Sequence, residues 1–152
     1  MSVDQLSDEE LAGQPAAYWT GMAYEALIAF TRARQAEAGF TQPQFWILRN
    51  LSAGDLWPDG SARTIPELRQ AMSTYLRAED DLDAEASGLA AQGLIAREGP
   101  DRWRITEAGD AARLKISKLA LGIRARIHDG VDDADYVTAL KVLRRMIANV
   151  RS

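Results

Sequence analysis

The sequence predicts a mainly helical domain with a minor β component, a mainly α (α+β) class. Apolar residues recur at three- and four-residue spacing in several segments, helix-start signatures precede those segments, and one short stretch around Gly99 switches to strand-like composition. With 152 residues, 47% hydrophobic and 26% charged, the chain reads as one globular domain over 1–152.

The first fourteen residues are polar and acidic and read as an arm. One short helix is opened there by Ser7, Asp8, Glu9 and Glu10, in which a serine caps the amide three residues on and a glutamate reaches back. From Pro15 to Ala38 the apolar residues Trp19, Ala23, Ala26, Leu27, Phe30 and Ala33 fall at helical spacing, and Gly39 follows where a C-cap glycine belongs. Thr41, Pro43 and Gln44 repeat the start signature, because proline costs nothing in a first turn, and the next helix runs to about Ser52. Gly54, Pro58, Asp59 and Gly60 make 53–63 a loop.

Thr64, Pro66 and Glu67 open another helix, expected to reach about Tyr75. A further one is expected from about Glu79 to Gln92, with Leu82, Ala86 and Leu89 as its buried stripe and Gly93 as its end. The period then changes. Leu94 to Glu98 and Arg102 to Thr106 are strand-like runs around Gly99, Pro100 and Asp101, which makes one hairpin. Thr106 caps a long helix from Glu107 to about His128, ended by Gly130. Asp132 or Asp133 starts the last helix, whose Tyr136, Leu140, Leu143, Ile147 and Val150 form a seam for another helix.

Two short helices followed directly by a two-stranded ribbon are the parts of a winged helix-turn-helix, whose second helix enters the major groove while the ribbon touches the backbone beside it. At this point the chain resembles the MarR family of bacterial transcriptional regulators, from about Pro15 to Ser152. The resemblance is carried by QFWILRNLS before the loop, TIPELRQAM in the first helix of the motif, GLAAQGLIARE from recognition helix into wing, RITEAG leaving it, and DADYVTALKVLRRMIANV at the end. It implies a homodimer interlocked through long N- and C-terminal helices, here 15–40 and 107–152, around a winged helix-turn-helix lobe at 41–106 with one short β-hairpin wing. Members of that family are usually repressors, often released from DNA by small aromatic ligands. The first and last long helices support a dimer independently, since their apolar seams exceed what so small a central lobe can cover.

Net charge of −4 gives no global attraction to nucleic acid, so DNA binding needs a local basic surface. The residues expected to supply DNA contacts are Arg63, Thr64, Ser73, Thr74, Tyr75, Arg77, Arg102 and Arg104. Arg77 in the turn and Arg102 and Arg104 in the wing are the phosphate contacts, and the hydroxyls add neutral hydrogen bonds. Arg69 and Arg97 are expected to pair with neighbouring acids. Two departures from the family pattern stand out: the wing is short, and Glu79, Asp80, Asp81, Asp83 and Glu85 lie off the buried stripe, facing outward where DNA phosphates would repel them. Trp19, Met22, Phe45 and Trp46 are placed where the resemblance puts effector sites, although aromatics at helical spacing are more often core.

Other chemistry has little foundation. There are no cysteines, so disulfides and thiolate metal sites are excluded. No phosphate loop, nucleophile elbow or metal-ligand pair at helical spacing occurs, and the single histidine, His128, reads as a cation at a helix end near Asp129. The expectation is a non-enzymatic protein without cofactor or metal. The amino terminus lacks a signal-peptide pattern and no stretch is long and apolar enough for a membrane span, so the expected location is the cytoplasm. The reading is a homodimeric transcriptional regulator, a repressor of double-stranded DNA released by a small aromatic effector. The alternative is a MarR-like dimer that has lost DNA readout and binds a protein partner or small ligand.

Overall fold

In the computed structural model, which describes residues 5–152, the order of elements follows the sequence closely. They are α1 (Asp8–Ala12), α2 (Ala16–Glu37), α3 (Gln42–Leu51), β1 (Arg63–Thr64), α4 (Ile65–Ala71), α5 (Leu82–Ala91), β2 (Ile95–Glu98), β3 (Arg102–Ile105), α6 (Glu107–Ile127) and α7 (Asp133–Arg151). The chain divides into two units, Met1–Leu114 and Lys115–Ser152.

The first unit holds the winged helix-turn-helix lobe. All three predicted capping boxes form: Ser7 with Glu10, Thr41 with Gln44, and Thr64 with Glu67. In each the hydroxyl accepts the amide three residues on while that residue's side chain accepts the cap's own N–H, which satisfies two end donors at once. The core lies beneath α3, α4, α5 and the sheet, where Ile47, Leu48, Leu51, Leu68, Met72, Leu82, Ala86, Leu89, Ile95 and Trp103 are buried. Gly109, in the first turn of α6, is where helix meets wing. A Cβ there would run into the backbone carbonyl of Leu94 and the side chain of Ile105, so only glycine permits the approach.

Three elements differ from expectation. The wing is not a lone hairpin: β1 adds to it, giving an antiparallel sheet of order β1-β3-β2 with Arg63 opposite Trp103 and Thr64 opposite Arg102. Two residues carry no readable period, which is why this strand was invisible in the sequence. Helix α4 stops at Ala71 rather than Tyr75, and turns carry the chain through Ser73, Thr74 and Tyr75. Helix α5 begins at Leu82, not Glu79, because Asp81 is its N-cap and accepts the amide of Ala84.

The long helices bury little within the single chain. In α2 only Gln35 is buried, while Tyr18, Met22, Tyr24 and Leu27 are exposed. In the second unit α7 buries nothing: Tyr136 and Leu143 are half-buried, and Leu140, Ile147 and Val150 of the same seam are exposed, Val150 at 82%. His128 sits with its ring edge-on to Tyr136 at 4.4 Å, and Arg124 approaches the same tyrosine.

Candidate nucleic-acid interface

The turn–α5 segment and the wing carry the residues that would meet DNA, so their charges decide what the lobe can bind. Over 41–106 there are seven arginines against ten carboxylates. The lobe is therefore acidic overall, and its use depends on which charges are already consumed.

Of the acids expected to face outward, one is turned inward and three others have partners within the chain. The side chain of Asp80 is only 7% exposed and receives two hydrogen bonds from the Arg32 guanidinium of α2, at 2.8 and 2.9 Å. It also accepts the Arg77 backbone N–H at 2.8 Å. The Arg32 bonds, aided by that amide and opposed by burial, hold the Asp80 carboxyl below its ordinary range. Asp81 is the cap of α5, Glu85 accepts the Thr41 hydroxyl at 2.7 Å, and Glu79 accepts from Arg77 Nε at 2.8 Å. Glu79, Asp81 and Asp83 remain exposed, Asp83 loosely paired with Arg69 at 3.6 Å. The expectation of five outward-facing carboxylates is corrected for Asp80, for a reason remote in sequence: Arg32 lies 48 residues before it.

The expected cations fare unequally. Arg77 is held by Glu79 and by Glu25 of α2, at 2.8 and 3.1 Å, and stands 5.5 Å from the centre of the Tyr24 ring. Arg63 donates through Nε to the Asn50 carbonyl and lies over Trp57. Arg102 donates to the Ala62 carbonyl at 3.1 Å, with Glu67 at 3.6 Å. Arg104 pairs with no carboxylate among the described residues and, like Arg102, projects from the exposed side of β3. It borders an open cleft of about 450 Å³ with Gly60, Ser61, Ala62 and Glu98. The ladder thus brings Arg63, Thr64 and Arg102 together, whereas Ser73, Thr74, Tyr75 and Arg77 belong to the turn before α5. The Thr64 side-chain oxygen is committed to capping α4, and Ser73, Thr74 and Tyr75 are exposed.

Arg69 pairs with an acid as expected, but Arg97 does not: its guanidinium lies 4.1 Å from the ring centre of Trp103, directly opposite it in the hairpin. That contact was legible, since a hairpin turning at Gly99, Pro100 and Asp101 sets those residues across from each other. A polar network had no such signal. Arg49 grips Asp55 through Nε and Nη2, Arg113 bonds both Asp55 and Asp110, and Asp110 accepts the buried Ser52 hydroxyl at 2.7 Å.

The aromatic residues proposed for an effector are placed apart in role. Phe45 belongs to the core, and Trp46 stacks on Tyr75 with centroids 4.0 Å apart while Arg49 lies over its ring. Met22 is exposed, and Trp19 is half-buried with its indole N–H unpartnered. The 450 Å³ cleft and a neighbouring one of about 280 Å³ at Ser52 and Asp110 include none of the four. The outer face of α5 itself presents Asp83, Ala84, Ser87 and Ala91. No helix among the described residues is long and apolar enough to cross a membrane.

No protein-family model matches the chain, and no curated protein matches it by sequence. Solved structures do match. The Mycobacterium tuberculosis MarR family protein Rv2887, in complex with DNA, superposes with a TM-score of 0.65 at 20% identity, covering 91% of this chain and 99% of that one. BpsR of Bordetella bronchiseptica, whose DNA binding is regulated by 6-hydroxynicotinic acid, gives 0.66 at 19% identity over 88% and 94%. Apo MarR from E. coli gives 0.65 at 15% identity over 88% and 97%. The chain has the winged helix-turn-helix fold of the MarR-family transcriptional regulators.

Proposed function

We propose that the chain is a homodimeric, DNA-binding transcriptional regulator, acting in the cytoplasm as a repressor, with no catalytic role. The whole of 1–152 works as one module in which 15–40 and 107–152 make the dimer and 41–106 binds the duplex. The observation that carries this reading is the use of Asp80 and Glu79 in ion pairs with Arg32 and Arg77, the first largely buried, which reduces the repulsion expected from the five acids. The exposed apolar seams of α2 and α7 support a second copy as their cover. The neighbours studied with DNA, with 6-hydroxynicotinic acid and with p-aminosalicylic acid support a duplex target and a small aromatic effector, for which Trp19, Met22, Phe45 and Trp46 remain the proposed lining. Phosphate contacts come from Arg102 and Arg104, with Arg63, Arg77 and the exposed Ser73, Thr74 and Tyr75 beside them. Capture of genomic fragments by the purified protein, followed by footprinting of the enriched sequence, tests this. A protected, roughly palindromic site is the expected result, and no enrichment at low salt refutes it.

One observation favours a second reading. The outer face of α5 carries no arginine, lysine, asparagine or glutamine between Asp83 and Ala91, the side chains that most often read base edges. A dimer of this fold without base readout, binding a protein or small ligand, is its consequence, and the same capture experiment separates the two.

A further inference from the structure

Four charges join α2 to the turn before the recognition helix in alternating order. Glu25 and Arg32 are seven residues apart, hence on one face of α2, and they meet Arg77 and Asp80 respectively. The two pairs differ in kind. Arg32–Asp80 is fork to fork, its side chains are 25% and 7% exposed, and Arg32 Nε donates to Gln42 at 3.0 Å. That pair is bonded through every guanidinium nitrogen and largely shielded. Arg77, by contrast, is held by side chains that are about two-thirds exposed, Glu25 at 64% and Glu79 at 65%, where water and salt weaken ion pairs. Its hold is also incomplete, because Arg77 Nη1 is buried without any hydrogen-bond partner, a condition that raises the energy of the held arrangement.

We propose that Glu25 and Glu79 form an autoinhibitory pair that withholds Arg77 from the DNA backbone, and that a duplex phosphate displaces them while the Arg32–Asp80 pair keeps the recognition helix in place. The inference rests on the DNA-binding reading above and adds a regulatory contact to it. A phosphate is the competitor that fits: it presents several anionic oxygens to a guanidinium fork, whereas each glutamate here is a single, solvated carboxylate. Any event that draws Glu25 away with α2 would remove one of the two holds on Arg77 and leave only Glu79, so this contact couples the first long helix to affinity for DNA.

The test is a double-mutant cycle on the full chain, with fluorescently labelled double-stranded genomic DNA as the probe. The variants are Glu25→Gln with Glu79→Gln, Arg77→Ala, and all three together. Arg77→Ala keeps the backbone N–H that Asp80 accepts, and both glutamates are exposed, so each variant should fold. The glutamine pair is expected to bind severalfold more tightly than wild type, with the slope of log affinity against log salt steeper by about 0.9, the value of one extra phosphate contact on B-DNA. Both gains should vanish when Arg77 is alanine. Equal gains with and without Arg77 would mean generic loss of negative charge and overturn the proposal, as would no gain in a protein whose wild type binds DNA. Binding by the glutamine pair alone, lost again with Arg77→Ala, supports it. Failure of every variant to bind at low salt overturns it together with the DNA-binding reading itself.

Discussion

The Asp80 carboxylate and the Arg32 guanidinium meet through two parallel hydrogen bonds, at 2.8 and 2.9 Å, and so tie the turn before α5 to α2. Removing one partner strands the other in a largely buried place. Asp80→Ala is therefore expected to cost about 2 kcal/mol, below the ~3–5 kcal/mol of a fully buried pair because Arg32 keeps some contact with water. A shift of the urea midpoint at unchanged m-value checks this; a midpoint like that of wild type would show that the clamp contributes nothing.

The same pair sets a pH dependence. The Arg32 hydrogen bond holds the folded Asp80 carboxyl below its ordinary 3.8, and the Ser52 hydroxyl followed by Arg113 does the same for Asp110. For Asp55 burial opposes the shift, yet Arg49 and Arg113 outweigh it. A depressed folded value means the unfolded chain takes up protons first, so the stabilisation is complete above the unfolded value and lost as pH falls through the folded one. Stability should be insensitive to these groups near neutral pH and decline below about pH 4. In Asp80→Asn the acid decline should be shallower than in wild type, measured by urea unfolding across that range. Parallel curves for the two proteins would remove Asp80 from the account.

Gly109 offers a steric test of how wing and helix meet. Alanine there would place its Cβ against the Leu94 carbonyl, which already accepts the Thr106 amide at 3.1 Å and cannot retreat without losing it. Gly109→Ala should cost roughly 3 kcal/mol, the upper end for overpacking. By contrast Gly122→Ala, in the same helix with open space around it, should be neutral or slightly stabilising. Equal thermal midpoints for the two variants would contradict the close approach.

What was legible in the sequence was local. Thr41 and Thr64 announce their helices because a capping box needs only residues three apart, and both boxes form. The hairpin follows from Gly99, Pro100 and Asp101 in the same way. What was not legible depends on contacts distant along the chain. Asp80 reads as a helix-face acid until Arg32 is brought to it, and Arg77 reads as a free cation until Glu25 arrives from 52 residues away. The start of α5 was misplaced in part for the same reason, since Asp80 is turned to Arg32, and in part because Asp81 rather than an earlier residue caps the helix.

The seam of α7 bears on assembly. Leu140, Ile147 and Val150 are exposed on the single chain and Leu143 lies among them in register, so a second copy is the expected cover. Sedimentation equilibrium should give a dimer at micromolar concentration, and Leu143→Asp should yield monomer or unfolded chain, because an unpaired charge in an apolar interface is strongly disfavoured. A folded wild-type monomer would refute the dimer.

The last expectation concerns the wing and Asp83, on the outer face of α5. Arg104 pairs with no carboxylate among the described residues, whereas Arg102 spends one donor on the Ala62 carbonyl and lies near Glu67. If both touch phosphates, Arg104→Ala should reduce the slope of log affinity against log salt by roughly 1, and Arg102→Ala by less, each weakening binding to all sequences alike. Asp83→Asn should strengthen nonspecific binding, since it removes repulsion without disturbing a structural contact beyond the loose one with Arg69. Asp80→Asn should not, because its charge is turned inward to Arg32 and its loss instead lowers stability. Fluorescence anisotropy with specific and scrambled duplexes distinguishes these variants. If Asp83→Asn abolished binding to one preferred site while sparing the scrambled duplex, Asp83 would be accepting a hydrogen bond from a cytosine, and its role as an obstacle would be wrong.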